Sequence, residues 1–194
     1  MSSISKPPAT TITTVKNIMP VVCKQIPEDY DAVLNLNRLV FGGNGEADLV
    51  DRLWRAGVVV VSLVAIEDDE IVGHILFSEL PIETDEGTIA AVSLAPMSVN
   101  PKCQRQAIGS ALVRQGLEMC RERGRLIVVV LGNPGYYPRF GFSAGLAKNL
   151  NGPYSGDAWM ALELRKGILD NVKGTVRYPE AFGVLGTSRY RLKS

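Results

Sequence analysis

Residues 92–122 carry the pattern that most restricts how this chain can fold. An alternating apolar segment ends at Asn100-Pro101, a polar turn follows, and an amphipathic run then places apolar residues at helical spacing. The pattern predicts a strand, a loop and a helix in direct succession. Because the first turn of a helix has backbone N–H groups without internal partners and the positive end of the dipole, we expect an anion site where this helix begins.

Length, charge and cysteine content narrow the class of protein. The chain of 194 residues is long enough for one well-buried domain, and 21 basic against 20 acidic side chains give no overall field that favours nucleic acid or a membrane surface. The longest apolar run, residues 58–66, is too short to span a membrane. Three cysteines at unrelated spacings fit neither a disulfide framework nor a metal site. We therefore expect a cytoplasmic protein without metal.

Composition also predicts the boundaries of the domain. Residues 1–18 are rich in Ser, Thr and Pro and lack an apolar core, which predicts a disordered tail. Residues 19–182 form the predicted domain, and residues 183–194 form a short C-terminal tail.

Hydrophobic periodicity predicts the order of elements before the loop as a strand, two amphipathic helices, a hairpin and one further strand, over residues 19–25, 27–40, 46–56, 58–80 and 87–99. The apolar stripes of the two helices include Ala32, Leu39 and Trp54, which we expect to face the core. After the helix of the opening pattern, Gly124 predicts a C-terminal cap, and residues 125–131 predict a buried strand. A strand, helix and strand in this order imply a parallel pair at the centre of the sheet.

Two motifs in this framework resemble those of the GCN5-related N-acetyltransferase (GNAT) family. The first, Gln104-x-x-Ala107-x-Gly109, stands between strand and helix and is similar to the family's pyrophosphate loop. In the second, Tyr137 and Gly141-Phe142 have the spacing of the family's tyrosine and glycine-phenylalanine pair. The nucleotide motifs GxxxxGK[ST] and GxGxxG are both absent, which weakens triphosphatase and dehydrogenase interpretations.

The resemblance extends over residues 19–182, with segments 159–164 and 176–182 similar to the last strands of a bacterial subgroup. The loop departs from that subgroup at Arg105 and Ala107, where many members have glycine. We interpret Ala107 as a residue of the first helical turn, which needs no positive φ.

What the resemblance implies is an α/β fold with a mixed, largely antiparallel sheet, a central parallel strand pair splayed to admit acyl-CoA, and helices on both faces. It implies an enzyme that uses acetyl-CoA as co-substrate and moves the acetyl group to a primary amine by direct attack in a ternary complex. Homodimers are common in the family.

The resemblance also assigns residues to the site. The pyrophosphate of CoA would bind the first-turn N–H groups, pantetheine would add beside residues 97–99 like a strand, and the N–H of Met97 would stabilise the oxyanion. Tyr137 would be the general acid toward the CoA sulfur. The residues expected to bind CoA are Met97, Ser98, Val99, Gln104, Arg105, Gln106, Ala107, Ile108, Gly109, Ser110, Asn133 and Tyr137.

The general base stays open. Family members often use a glutamate on the strand before the loop, but residues 88–99 contain no carboxylate. Glu46, Glu79, Glu83 or a chain of waters could take the proton. We expect His74, the only histidine, and Cys103 to be structural, whereas Arg139 fits equally a helix C-terminal charge and a phosphate ligand.

Two alternatives to acetyl transfer remain at this point. The missing strand carboxylate is compatible with a non-catalytic module that binds or senses acyl-CoA, and a roomier pocket would admit a longer acyl group. The residues do not identify the acceptor amine.

Overall fold

The computed structural model describes residues 20–170 and 172–183, so the predicted tails, except Gly183, lie outside the described residues. Within these ranges the strands and α-helices are Val21–Lys24 (β1), Tyr30–Phe41 (α1), Gly45–Arg55 (α2), Val59–Glu67 (β2), Glu70–Glu79 (β3), Ile82–Thr84 (β4), Gly87–Ile89 (β5), Ala91–Val99 (β6), Ile108–Glu122 (α3), Ile127–Leu131 (β7), Ala144–Ala147 (α4), Leu150–Asn151 (β8), Trp159–Glu163 (β9) and Gly174–Val176 (β10). Short 3₁₀ turns occur at Pro27–Asp29, Pro101–Cys103, Tyr137–Phe140 and Glu180–Phe182.

A six-stranded mixed sheet forms the centre of the domain, in the order β1-β2-β3-β6-β7-β9. All neighbours in this sheet are antiparallel except β6 and β7, which are parallel and joined by α3. The predicted central parallel pair is confirmed. A second, four-stranded sheet in the order β5-β4-β10-β8 was not predicted, because its strands have only two or three residues and no clear periodicity.

The parallel pair is short, and this opens the sheet. β6 and β7 pair only from Ala91–Ile127 to Ser93–Val129. Beyond Ser93, β6 stays paired with β3 as far as Val99, while β7 stays paired with β9 as far as Leu131. The two central strands are therefore held by their outer neighbours and diverge from each other, which confirms the predicted splay.

Helices cover both faces of the main sheet, as predicted. Helix α3 lies on one face, where Leu112, Val113 and Cys120 join the core with side chains of β3, β6 and β7. Helices α1 and α2 lie on the opposite face, against Val64 of β2 and Leu76 of β3. Helices therefore lie on both faces of the sheet that contains the open parallel pair.

The predicted helical stripes are wrong at three residues. Ala32 is exposed, Leu39 is 60% exposed and Trp54 is 39% exposed. On α1 the side chains that face the core include Leu34 and Asn37. The apolar stripe is therefore displaced around the helix, because a buried hydrogen bond to Asn37 makes a polar residue part of the core face.

Two predicted strands also differ from the structure. Residues 87–99 form two strands in different sheets, with the break at Ala90, whose carbonyl accepts from the amide of Leu126. The segment 176–182 contributes only Val176 to β10 and then turns at Pro179 into a 3₁₀ turn. Alternation predicts extended backbone in both segments, but it does not predict the sheet in which that backbone pairs.

Close contact between α3 and the sheet predicts the effect of adding one methyl group. A Cβ on Gly116 would lie 2.3 Å from a ring carbon of the fully buried Phe77. We expect Gly116→Ala to destabilise the protein by about 1–3 kcal/mol through overpacking, although alanine favours helices. Gly45→Ala is the matched control, because a Cβ there meets no atom within 4 Å. Urea unfolding of both variants tests this, and equal stabilities would contradict it.

Candidate active site

The backbone of β6 has free polar groups where it diverges from β7. The amide of Asn100 donates to the carbonyl of Val72 on β3 at 2.8 Å. Since alternate residues of an antiparallel ladder form such bonds, Ser98 also directs its N–H and C=O toward β3, whereas Met97 and Val99 direct theirs to the other side. That side is the opening between β6 and β7. Met97 and Val99 therefore present backbone groups to a molecule that enters the opening.

Side-chain bonds to the backbone shape the loop after β6. Gln104 Nε2 donates to the carbonyl of Val99 at 3.2 Å, and Gln106 Nε2 donates to the carbonyl of Lys102 at 3.4 Å. Both glutamines and Arg105 are exposed. The loop thus places two cations, Lys102 and Arg105, and several amide groups in solvent at the end of the opening.

The first turn of α3 supplies unpaired amides beside this loop. The first backbone bond of the helix runs from the Ala111 N–H to the Ala107 carbonyl at 2.9 Å, so the amides of Ile108, Gly109 and Ser110 have no acceptor within the helix. Ile108 is buried and anchors the turn in the core. No acidic residue lies in this first turn. The arrangement favours a bound anion.

The loop reaches this geometry through two left-handed residues. Arg105 has a φ of 62° and Ala107 has a φ of 64°. Ala107 is the N-cap of α3, so its interpretation as a first-turn residue without positive φ is wrong. Both residues occupy a conformation that favours glycine, and each costs about 1–2 kcal/mol relative to helical backbone.

Two adjacent tyrosines close the end of β7 and point to different places. The hydroxyl of Tyr136 lies 2.9 Å from the position that a Cβ on Gly109 would take, so it reaches the first turn of α3. The ring of Tyr137 packs over Gly132 and meets the edge of Phe142, with ring centroids 5.5 Å apart. The two tyrosine rings are nearly perpendicular. Sequence alone did not single out Tyr136 as a neighbour of the first turn of α3.

Asn133 sets the turn that presents these rings. Its Oδ1 accepts from the amide of Gly135 at 2.7 Å, and its backbone carbonyl accepts from the amides of Tyr136 and Tyr137. Asn133 therefore holds the turn with both its side chain and its backbone carbonyl.

Burial reinforces the neutral, protonated form of Tyr137. The side chain is 8% exposed, and burial, with a smaller contribution from Tyr136, raises the pKa of its phenol above the ordinary value. The phenol therefore stays protonated at neutral pH and keeps a proton to donate.

His74 lies in a buried polar chain on the α1 face of the sheet. Its Nδ1 is 3.3 Å from Asn37 Nδ2, and its Nε2 is 3.0 Å from Ser62 Oγ, which donates to Gln25 Oε1. Because the Asn37 amide also donates to the carbonyl of Val33, we assign Nδ1 as the acceptor and place the proton on Nε2. Burial lowers the pKa of His74 to about 3, so the ring is neutral at pH 7. This supports the structural interpretation of His74.

Two of the three acidic candidates for a general base form ion pairs with arginines. Glu79 forms an ion pair with Arg125, and Glu83 forms one with Arg177 at 2.7 Å. Glu79 also pairs with Val92, at the end of β6 opposite the opening.

Cys103 does not have the surroundings of a reactive thiol. Burial and the nearby Glu67 raise the pKa of the Cys103 thiol. Within the described ranges, no group of three or more His, Cys, Asp and Glu side chains could hold a metal ion. Over the same residues, no helix has both the length and the apolar character needed to cross a membrane.

A parallel pair that opens beside the free first-turn amides of a helix, with a protonated tyrosine at its end, defines a CoA-dependent acyltransferase fold. The family model described as acetyltransferase (GNAT) domain matches residues 24–145, more than half of the chain. The chain therefore belongs to the GNAT family of N-acetyltransferases, which confirms the resemblance found in the sequence.

Relatives of known sequence and structure agree with this assignment. The uncharacterized N-acetyltransferase YhbS of Escherichia coli strain K12 is 33% identical over 161 residues, which are 81% of this chain and 95% of YhbS. A crystal structure of Escherichia coli YhbS in complex with CoA is 30% identical, has a TM-score of 0.78, and covers 92% of this chain and 96% of that protein. A GNAT family acetyltransferase from Brucella melitensis in complex with acetyl-CoA is 32% identical, with a TM-score of 0.71 over 84% of this chain and 97% of that one.

The left-handed N-cap predicts a gain in stability from glycine. Ala107→Gly removes the contact of Cβ with its own backbone at φ 64°, so we expect stabilisation by up to about 1 kcal/mol. Ala111→Gly, four residues later and in the helix interior, should instead destabilise by about 1 kcal/mol. Urea unfolding would show opposite signs for the two changes, and a loss of stability in both would contradict the strain at residue 107.

The buried His74 predicts how stability depends on pH. The unfolded chain binds a proton at this residue below about pH 6.5, whereas the folded chain does so only near a pKa of about 3, so stability falls as the pH drops between these values. From pH 7 to pH 5 this loss is about 2 kcal/mol. His74→Gln should lack this part of the loss in urea unfolding at the two pH values. An equal loss in the variant would assign the pH dependence to other groups.

Proposed function

We propose that this chain transfers the acetyl group of acetyl-CoA to a primary amine, by direct attack of the amine within a ternary complex. The observation that carries the proposal is the opening between β6 and β7, which lies beside the free amides of Ile108, Gly109 and Ser110. A diphosphate fits the helix end, and an extended amide chain fits the open strand edge. CoA contains both groups in one molecule.

Each part of the co-substrate has a proposed place. The diphosphate binds the first-turn amides, flanked by Gln104 and Arg105. The pantetheine exchanges hydrogen bonds with Met97 and Val99, whose backbone groups face the opening. The YhbS and Brucella melitensis structures, which contain CoA and acetyl-CoA, support this placement by their shared fold.

The proposed reaction uses two groups of this chain. The neutral amine attacks the thioester carbonyl carbon, and the oxygen that becomes negative accepts a hydrogen bond from the N–H of Met97. When the carbon–sulfur bond breaks, the leaving thiolate takes the proton of the Tyr137 phenol, whose pKa burial raises. The attacking nitrogen loses its extra proton to solvent as the amide forms, and solvent returns a proton to Tyr137. The acceptor attacks only after its ammonium proton is lost, since alkylamines have a pKa near 10.

We propose a reducing, cytoplasmic setting for this chain. Cys23, Cys103 and Cys120 are free thiols, which supports the prediction of a reducing, cytoplasmic compartment.

One observation favours a second candidate, a module that binds acyl-CoA without turnover. Residues 91–99 of β6 contain no carboxylate, and Glu79 and Glu83 are held by arginines. Such a module would bind acetyl-CoA through the same amides but would release no thiol.

The experiment that tests the proposed function measures both acetyl-CoA binding and turnover. The purified protein is titrated with acetyl-CoA by calorimetry, and free thiol is then measured with a panel of small amines, polyamines and lysine peptides. Binding with thiol release supports the enzyme, and binding without release on every amine supports the non-catalytic module. Absence of binding would overturn both.

The role of Tyr137 can be separated from that of its neighbour. We expect Tyr137→Phe to lower kcat by about 100-fold, because the thiolate loses its proton donor, with acetyl-CoA affinity near that of the wild type. Tyr136→Phe is the matched control and should keep a kcat within a few-fold of the wild type. Calorimetry and thiol release measure both quantities, and the opposite order of effects would assign the acid to Tyr136.

A further inference from the structure

Tyr178 lies at the closed end of the opening, where Ser93 of β6 and Val129 of β7 form the last parallel pair. The side chain of Ser93 forms a hydrogen bond with the Tyr178 hydroxyl. The ring centroid of Tyr178 also lies 6.4 Å from that of Trp159, a residue of β9 that pairs with Leu131 at the end of β7. One side chain therefore reaches from β6 to the strands on the other side of the opening.

Tyr178 lies on the face of the sheet away from α3. Side chains alternate between the two faces of a strand, and both neighbours of Ser93, Val92 and Leu94, belong to the core that contains α3. Ser93 therefore points to the opposite face, where the ring of Tyr178 packs against the core of α1 and α2. Tyr137 belongs to the α3 core, so the two tyrosines lie on opposite faces of the sheet.

The segment 177–182, which carries Tyr178, is anchored on both sides of this residue. Before it, the amide of Arg177 donates to the carbonyl of Pro81 at 2.9 Å. After it, Phe182 is 4% exposed and packs with α1 and α2, and its ring centroid lies 4.8 Å from that of Tyr178. These contacts fix the position of the Tyr178 ring.

The proposed placement of CoA directs its acyl group to the same end. The diphosphate lies at the first turn of α3, beyond the C-terminal end of β6, and the thioester is at the other end of the pantetheine chain. A pantetheine that runs back along Val99 and Met97 therefore places the thioester carbonyl at Met97 and the acyl group toward Ser93. At Ser93 the opening ends, because β6 and β7 are paired there.

The closed end is bounded on three sides. The paired backbone of Ser93 and Val129 forms its base. On the α3 face, Leu94 and Val130 are buried in the close-packed core. Tyr178 covers the opposite face, so an acyl chain that lengthens toward this end meets the Tyr178 ring.

We propose that Tyr178 is a specificity-determining residue, which restricts the acyl donor to acetyl-CoA and other short-chain acyl-CoA thioesters. Its ring occupies the face through which a longer chain would leave the sheet. The size of the ring sets this limit, whereas the hydroxyl serves to hold the ring at Ser93. This inference rests on the proposed function, and it names the acyl group that the site selects.

The test compares acyl-CoA thioesters of increasing chain length. Affinities for acetyl-CoA, butyryl-CoA and hexanoyl-CoA are measured by calorimetry with the wild type and with Tyr178→Ala. We expect the wild type to bind acetyl-CoA about 10-fold more tightly than hexanoyl-CoA, because a chain that does not fit must displace packed side chains. In Tyr178→Ala this preference should disappear or reverse, since an apolar chain can fill the cavity that the ring leaves.

Two further variants separate the ring from the hydroxyl and from effects on the fold. Tyr178→Phe is the matched control, because it keeps the ring, and it should keep the wild-type ratio of affinities. Tyr178→Leu removes less buried volume than Tyr178→Ala and should change the ratio in the same direction. The ratio of two affinities within one variant does not depend on the fraction of folded protein, which thermal unfolding reports separately.

Three results would overturn the inference. The wild type could bind all three thioesters with equal affinity, the folded Tyr178→Ala and Tyr178→Leu variants could keep the wild-type ratio, or Tyr178→Phe could lose it. In each case acetyl-CoA still binds, so the proposed function stands. Failure of the wild type to bind acetyl-CoA would overturn the function as well.

Discussion

The structure depends on a parallel pairing that stops after three residues. Beyond Ser93, β6 and β7 lose each other as partners, but β3 and β9 keep both strands extended. Unpaired backbone groups inside a protein are costly, so the opening favours a ligand that replaces the missing bonds. This opening lies beside α3, the turn that carries Tyr137, and the free backbone groups of Met97 and Val99. These features can act on a ligand only because the opening admits one.

Electrostatics distinguishes a neutral interior from a charged rim. Burial lowers the pKa of His74, in the structural polar chain on the α1 face, and raises the pKa of Tyr137 in the site, because a low-dielectric interior disfavours either ion. The cations Arg105, Arg114 and Arg139 lie in solvent along the start and side of α3. The anionic part of a ligand would therefore stay at the surface, while its neutral chain enters the sheet.

Much of this arrangement was predictable from local sequence. Periodicity predicts the strand, loop and helix of residues 92–122 and the buried strand after them. The family was indicated by the motif that begins at Gln104 and by the spacing of Tyr137 from Gly141-Phe142. Predictions failed where a residue's environment comes from distant segments. Leu39 faces solvent because Asn37 pairs with His74 of β3, and residues 87–99 divide between two sheets because their partners lie elsewhere in the chain.

The sequence by itself determined the order of elements, the crossover that makes β6 and β7 parallel, and the helix start whose first-turn amides have no acceptor within the helix. These features depend on residues that are close together in the chain, because local hydrogen bonding and hydrophobic periodicity specify them. Only the tertiary structure decided the length of the parallel pairing, the left-handed backbone at Arg105 and Ala107, and the approach of Tyr136 to Gly109. Each of these requires segments that meet only when α3 packs across the sheet, and the packing of the whole domain fixes their distances.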